Sequence, residues 1–294
     1  MIPREEVPVD PAIFRLFKRG SVTYFNSTLF FPKDVRRDVF RLYAFLRKAD
    51  DFVDRVPQDA EGFYAFRREY ERAAKGHETS DVVIREFVAL SRERDFDERW
   101  VEAFLDSMEA DLHKRVYHTL DELLVYVYGS AEVVGLFMAR ILGLPEESFV
   151  HARFLGRAMQ YINFIRDIQE DLELGRQYLP VEEMERHGLK SLEPEEAHAK
   201  REEYTAFVRE QIGRYVLWQG FAEEGYCYIP YRYLIPIKTA ADMYKFTAEI
   251  IHRNPLIVYV RKVKPKKKRI VSQAYVNLLG AAVYKLPGGS PYCG

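Results

Sequence analysis

Residues 160–180 run Gln160-Tyr161-Ile162-Asn163-Phe164-Ile165-Arg166-Asp167-Ile168-Gln169-Glu170-Asp171-Leu172-Glu173-Leu174-Gly175-Arg176-Gln177-Tyr178-Leu179-Pro180. Asn163, Asp167 and Asp171 recur at i, i+4 and i+8, and Gln160 extends the row, so a helix stacks them on one face. Ile162, Phe164, Ile165 and Ile168 surround that stripe with apolar side chains. A polar stripe set among apolar residues points to a wet surface inside a protein rather than to bulk solvent. Gly175 supplies the stop.

A second acidic stretch lies upstream, Arg47-Lys48-Ala49-Asp50-Asp51-Phe52-Val53-Asp54. It too reads as helical, with Asp50 and Asp54 at i and i+4, about 5–6 Å apart at Cβ. Like charges so placed destabilise a helix unless a cation sits between them. A hard divalent ion is the natural counter-charge, and Mg²⁺ is usually held by one or two carboxylates together with substrate phosphates. Two such motifs in one apolar helical chain predict a cavity that holds a diphosphate through Mg²⁺, with Asp50, Asp54, Asp167 and Asp171 as ligands. The competing reading is two pairs of exposed helix acids, and Phe45, Leu46, Phe52 and Val53 around the first pair argue against it. Arg47 and Arg166 read either as ion-pair partners, worth little at a surface, or as bidentate grips on phosphate oxygens. Arg176 either holds the helix C-terminus or reaches the same phosphates.

Helical periodicity dominates the remainder. Helices are expected over 35–54, 61–75, 81–92, 97–113, 120–143, 147–174, 194–219 and 236–253, the fifth bent near Gly129 and Gly135. Leu256-Ile257-Val258-Tyr259-Val260 reads as a strand or a helix start. At 294 residues the chain lies near the upper limit of a single core, so one domain is expected over 1–286, with a disordered tail at 287–294. The 20 Tyr and 20 Phe either fill a core or line a long apolar pocket able to shield a carbocation. A net charge of −1 gives no reason to expect a nucleic-acid partner, and two cysteines exclude a disulfide framework. The N-terminal residues form no secretory signal, and no stretch approaches 18 uncharged apolar residues, so a cytosolic protein without a membrane span is expected. Seven of the nine residues 261–269 are Lys or Arg. They read as a solvated basic stretch, as a peripheral contact with anionic lipid, or as a diphosphate contact from Arg261.

Three blocks, residues 42–54, residues 126–135 (Tyr-Val-Tyr-Gly-Ser-Ala-Glu-Val-Val-Gly) and residues 160–180, resemble the squalene/phytoene synthase family of head-to-head prenyltransferases in content, order and separation. The resemblance covers roughly residues 20–265. It implies an all-α isoprenoid synthase fold, a single helical bundle around a central cavity. It also implies condensation of two prenyl diphosphates through a cyclopropylcarbinyl diphosphate intermediate. Carried over by position, Asp50, Asp54, Asn163, Asp167 and Asp171 hold Mg²⁺. Ser21, Tyr43, Arg47, Gln160, Arg166, Tyr244 and Arg261 contact the substrate or its diphosphate. Tyr126 and Tyr178 match the family's active-site tyrosines.

The chain departs from the family pattern at Ser21-Val22-Thr23-Tyr24-Phe25, where a lysine is missing, and over Glu223–Tyr231. Glu132 stands where a small residue is common. The leading expectation is two geranylgeranyl diphosphates joined to phytoene without a nicotinamide. Thr28, where C15-selective relatives carry a bulky aromatic, favours the longer substrate. The runner-up is two farnesyl diphosphates joined to dehydrosqualene, or to squalene with NADPH. Head-to-tail elongation fits less well, because Asp167 is followed by Ile168 rather than by a second Asp. A non-catalytic assembly factor on the same fold is the remote alternative, and retention of all four aspartates opposes it.

Overall fold

The computed structural model describes residues 31–284, together with residues 13, 28 and 29. Ser21 and the rest of the 21–25 segment lie outside the described residues, as does the expected tail at 287–294. Among the described residues there is no β-strand, only a single bridge between Val116 and Gln177.

Helix α1 (Lys33–Asp54) buries Val35, Val39, Leu42, Phe45, Ala49 and Val53, spaced three or four apart as the sequence pattern requires. Phe45 is its centre, stacked on Phe87 at 3.8 Å and touching Phe66, Tyr70 and Phe104. Those partners belong to α2 (Ala60–Ala74), α3 (Val82–Arg94) and α4 (Glu98–His113). Asp59, Asp81 and Asp97 cap the three helices by accepting from backbone N–H groups of the first turn. Together they enclose one hydrophobic core.

The stretch expected as one bent helix over 120–143 divides into α5 (Leu120–Val127), a π-turn (Tyr128–Glu132) and α6 (Val133–Leu142). The widened turn includes Gly129, where a Cβ would lie 2.0 Å from the Ala103 carbonyl oxygen. Only glycine lets α4 approach this closely. Glu132 is 1% exposed and accepts from Arg153 at 2.9 Å and Arg157 at 2.7 Å, so its charge fastens the π-turn to the next long helix. Leu120–Leu142 is long and apolar enough to cross a membrane by length and composition, although Glu132 and Arg140 interrupt it and more than half of it is buried in the bundle.

The expected helix over 147–174 also divides, into α7 (Phe149–Arg166) and α8 (Ile168–Glu173). Then follow α9 (Val181–Arg186), α10 (Pro194–Ala199), α11 (Arg201–Glu224), α12 (Tyr231–Arg253), α13 (Ile257–Val260) and α14 (Lys267–Tyr284). Helix α12 starts five residues before Pro236, the expected start, and buries that proline inside it. Residues 256–260 resolve as a helical turn rather than a strand. A second core of Tyr161, Ile165, Tyr204, Phe207, Tyr215 and Ile251 joins α7, α11 and α12. Ile229 and Ile237 pack against both cores.

Candidate active site

A cavity of about 930 Å³ lies between the two cores. Helix α1 lines it with Tyr43, Arg47, Asp50 and Asp54, and the α7–α8 region lines it with Gln160, Asn163, Arg166, Asp167 and Asp171. Asp167 occupies the break between α7 and α8, with φ −101° and ψ 14°. Its N–H still donates to the Asn163 carbonyl at 2.8 Å, and the Asp171 N–H donates to the Asp167 carbonyl at 2.9 Å. The i, i+4, i+8 row therefore survives the interruption.

The two acidic motifs share one electrostatic field. Burial, with the charge of Asp54 added, pushes the Asp50 carboxyl up to about 8, although a third of its side chain faces open space. Burial and the charge of Asp167 push Asp171 up to about 8, and Asp54 contributes again from the other motif. Asp167 goes the opposite way. Burial alone would raise it, but bonds donated by Arg166 at 2.5 and 2.7 Å, and the charges of Arg166 and Lys262, hold it below the ordinary carboxylate range.

Cations are interleaved with these acids. Arg47 reaches Asp50 at 2.5 Å and Asp51 at 2.6 Å. Arg176 is buried and donates to Asp54 at 3.1 Å and to the Val53 carbonyl at 2.7 Å. Lys262 lies 3.0 Å from Asp167 and also pairs with Glu170. Such a set of positive and negative groups in one partly desolvated mouth suits a polyanion bound together with cations.

The tyrosines lie on the same cavity. Tyr126 and Tyr178 both donate their hydroxyls to Asp111, at 2.7 and 2.9 Å. Burial pushes Asp111 up to about 6, against the bonds from the two tyrosines and the charge of Arg176. Tyr178 stacks on Phe164 with ring centroids 4.3 Å apart. Burial raises Tyr43 to about 12, opposed by Arg47. It also raises Tyr244, opposed by Arg166 and by a hydrogen bond with Asn163. Away from the charges the walls are apolar, with Phe31, Val39, Phe104, Val134, Met138 and Leu155 among them.

The squalene/phytoene synthase family model matches residues 17–269. The chain belongs to the squalene/phytoene synthase family. It is a prenyltransferase of that family. A phytoene synthase of Thermus thermophilus is 35% identical over 194 residues, 64% of this chain and 65% of that protein. A 15-cis-phytoene synthase of Paracoccus is 26% identical over 280 residues, 92% of this chain and 91% of that one. Among solved structures, a dehydrosqualene synthase in complex with ligand superposes with a TM-score of 0.80 at 22% identity, covering 91% of this chain and 95% of its own. A squalene synthase of Alicyclobacillus acidocaldarius gives 0.76 at 23% identity, covering 86% and 97%. The fold is the isoprenoid synthase fold of these neighbours.

Thirteen of the fifteen candidate residues, Arg176 included, line the cavity. Ser21 lies outside the described residues. Arg261 is exposed and does not line the cavity; Lys262 and Lys264 do. The backbone is extended at Arg261, with φ −164° and ψ 149°, so alternate side chains share a side, and Lys262 rather than Arg261 stands on the cavity wall. Asp111 was not among the candidates. Its signal is a lone acid on the α4 face that also carries Phe104 and Met108.

The donor chemistry fits Mg²⁺. The carboxylates of Asp50 and Asp171 are pushed up by burial, and a nearby cation would restore their charged form. The buried Asn163 Oδ1 accepts no hydrogen bond from the protein. Among the described residues, no three His, Cys, Asp or Glu side chains form a metal cage by themselves.

Proposed function

We propose that this chain joins two geranylgeranyl diphosphates head to head, through a cyclopropylcarbinyl diphosphate intermediate, to give phytoene. The observation that carries the reading is a single cavity with paired acids and cations at one end and apolar walls over the rest. Phytoene synthase relatives that span most of the chain support it.

Asp50, Asp54, Asn163, Asp167 and Asp171 would hold Mg²⁺, which neutralises charge growing on the departing diphosphate. Arg47, Arg166, Arg176 and Lys262 orient that diphosphate and share its charge. The aromatic faces of Tyr126, Phe164 and Tyr178 shield the allylic cation from water. Asp111 holds the hydroxyls of Tyr126 and Tyr178 in place. The final proton passes to the departing diphosphate or to a tyrosine. The C20 substrate is supported by Thr28, a small buried residue in the cavity wall.

The test is product analysis with purified protein and Mg²⁺, offering geranylgeranyl and farnesyl diphosphate separately, each with and without NADPH. A C40 product formed without NADPH is expected. A C30 product would replace phytoene with squalene or dehydrosqualene, and no product would remove the catalytic reading.

A further inference from the structure

Glu249 is the last acidic residue of the chain. The 45 residues after it hold nine Lys and Arg and no Asp or Glu, so they carry +9 and the first 249 carry −10 of the formal −1. A nearly neutral protein is thus strongly polarised toward one end.

Helix α14, which this segment forms, is oriented against the usual amphipathic rule. Polar side chains face the protein. Gln273 and Asn277 donate to Asp242 on α12 at 3.1 and 3.0 Å, and Asn277 also donates to Thr239 at 3.1 Å. Ile270 and Ala274 are buried beside them. On the outer face Tyr275 is 61% exposed, Val276 56% and Leu279 71%, in line with Ser272 at i, i+3, i+4 and i+7. Four consecutive cations, Lys266 to Arg269, precede this stripe, and all four are exposed. The helix N-terminus there adds positive potential.

We propose that α14 is a docking surface for an anionic lipid bilayer. Lys266, Lys267 and Lys268 meet headgroup phosphates, while Tyr275, Val276 and Leu279 enter the headgroup–acyl boundary. Charge complementarity selects this occupant. A second copy docked symmetrically would set one +9 segment against another. A nucleic acid would satisfy the lysines and leave the apolar stripe in water. The same segment supplies Lys262 and Lys264 to the cavity wall, so the lipid-facing surface adjoins the polar mouth.

The test is co-sedimentation of the full chain with vesicles of phosphatidylcholine alone or with phosphatidylglycerol added, at two salt concentrations. Binding is expected only to the anionic vesicles and weakens as salt rises. Lys266→Ser/Lys267→Ser/Lys268→Ser is expected to lower partitioning about a hundredfold, from roughly a factor of five per lysine. Val276→Ser/Leu279→Ser is expected to lower it about tenfold, from the lost apolar burial. Equal binding to neutral vesicles, or unchanged partitioning in both variants, would overturn the proposal. So would absence of vesicle binding together with a dimer, seen by light scattering, that Leu279→Ser dissociates, or with nucleic-acid binding that the lysine variant abolishes. The readout needs no turnover, so it stands or fails separately from the assigned reaction.

Discussion

Arg176 donates to the Asp54 carboxylate at 3.1 Å across 122 positions of chain. Its other terminal nitrogen donates to the Val53 carbonyl at 2.7 Å, so one guanidinium ties the end of α1 to the loop that follows α8. That tie sets the separation of the two acidic motifs. Lysine cannot serve both acceptors from one planar fork. Arg176→Lys is therefore expected to lower kcat/KM by about a hundredfold, roughly the loss of one charge-assisted bond in an enclosed site. Steady-state kinetics with varied Mg²⁺ checks this, and activity within twofold of the wild type would count against the tie.

Asp50→Asn and Asp171→Asn should each abolish detectable turnover while leaving the fold intact. In the metal-free protein they should also raise the melting temperature at pH 8. Both folded-state pKa values are raised to about 8, from about 4 for an aspartate in the unfolded chain. Between roughly pH 4 and 8 the folded state thus holds protons that the unfolded state has released, and stability falls as pH rises. Asparagine removes that decline. Thermal melts of the three proteins from pH 5 to 9 test the sign, and retained turnover in either variant would falsify the ligand assignment.

Stabilisation by Mg²⁺ with inorganic diphosphate should grow as pH rises from 6 toward 8. Metal binding requires ionised carboxylates and so displaces the protons on Asp50 and Asp171. The check is the ligand-induced shift in melting temperature at each pH. A shift independent of pH would show that those two carboxyls take no part.

Asp111→Asn should lower kcat by about tenfold or more with little change in KM, since it weakens charge-assisted bonds that orient two tyrosines, worth at least about 1.4 kcal/mol. Asp111 accepts from both Tyr126 and Tyr178, and it loses its charge as pH falls through about 6. The wild-type profile should therefore carry an acid limb near pH 6 that the variant lacks. A parallel profile in both proteins would assign Asp111 to packing alone.

Gly129→Ala should destabilise the protein by about 2 kcal/mol, within the usual range for overpacking. The added Cβ would lie 2.0 Å from the Ala103 carbonyl and 2.1 Å from Ser107 Oγ, and the backbone must move to admit it. Denaturant unfolding gives the measurement, and a neutral result would mean that the π-turn can shift away from α4.

Much of the site was readable along the chain. The two aspartate pairs, Asn163, the neighbouring arginines and the four tyrosines all line the cavity, as the family resemblance implied. Helices α1 and α2 follow their apolar spacing almost to the residue. Glu132, anomalous by sequence, has its explanation in Arg153 and Arg157, which are neighbours only after α7 packs. Helix α14 was not expected, because apolar side chains lie on both of its faces, Ile270 and Ala274 inward and Tyr275, Val276 and Leu279 outward, which blurs the periodic signal.

Periodicity settles which side chains share a helix face, because 3.6 residues per turn is a local property of the backbone. That is why the acid rows, the helical class and the polar character of one cavity end could be read directly. Which faces meet is a matter of packing between distant segments. The break at Asp167, the placing of Lys262 rather than Arg261 on the cavity wall, the bonding of Asp111 to two tyrosines and the raised carboxyls of Asp50 and Asp171 all arise there. Desolvation and charge pairing depend on what encloses a group in space, and neighbours along the chain do not specify that.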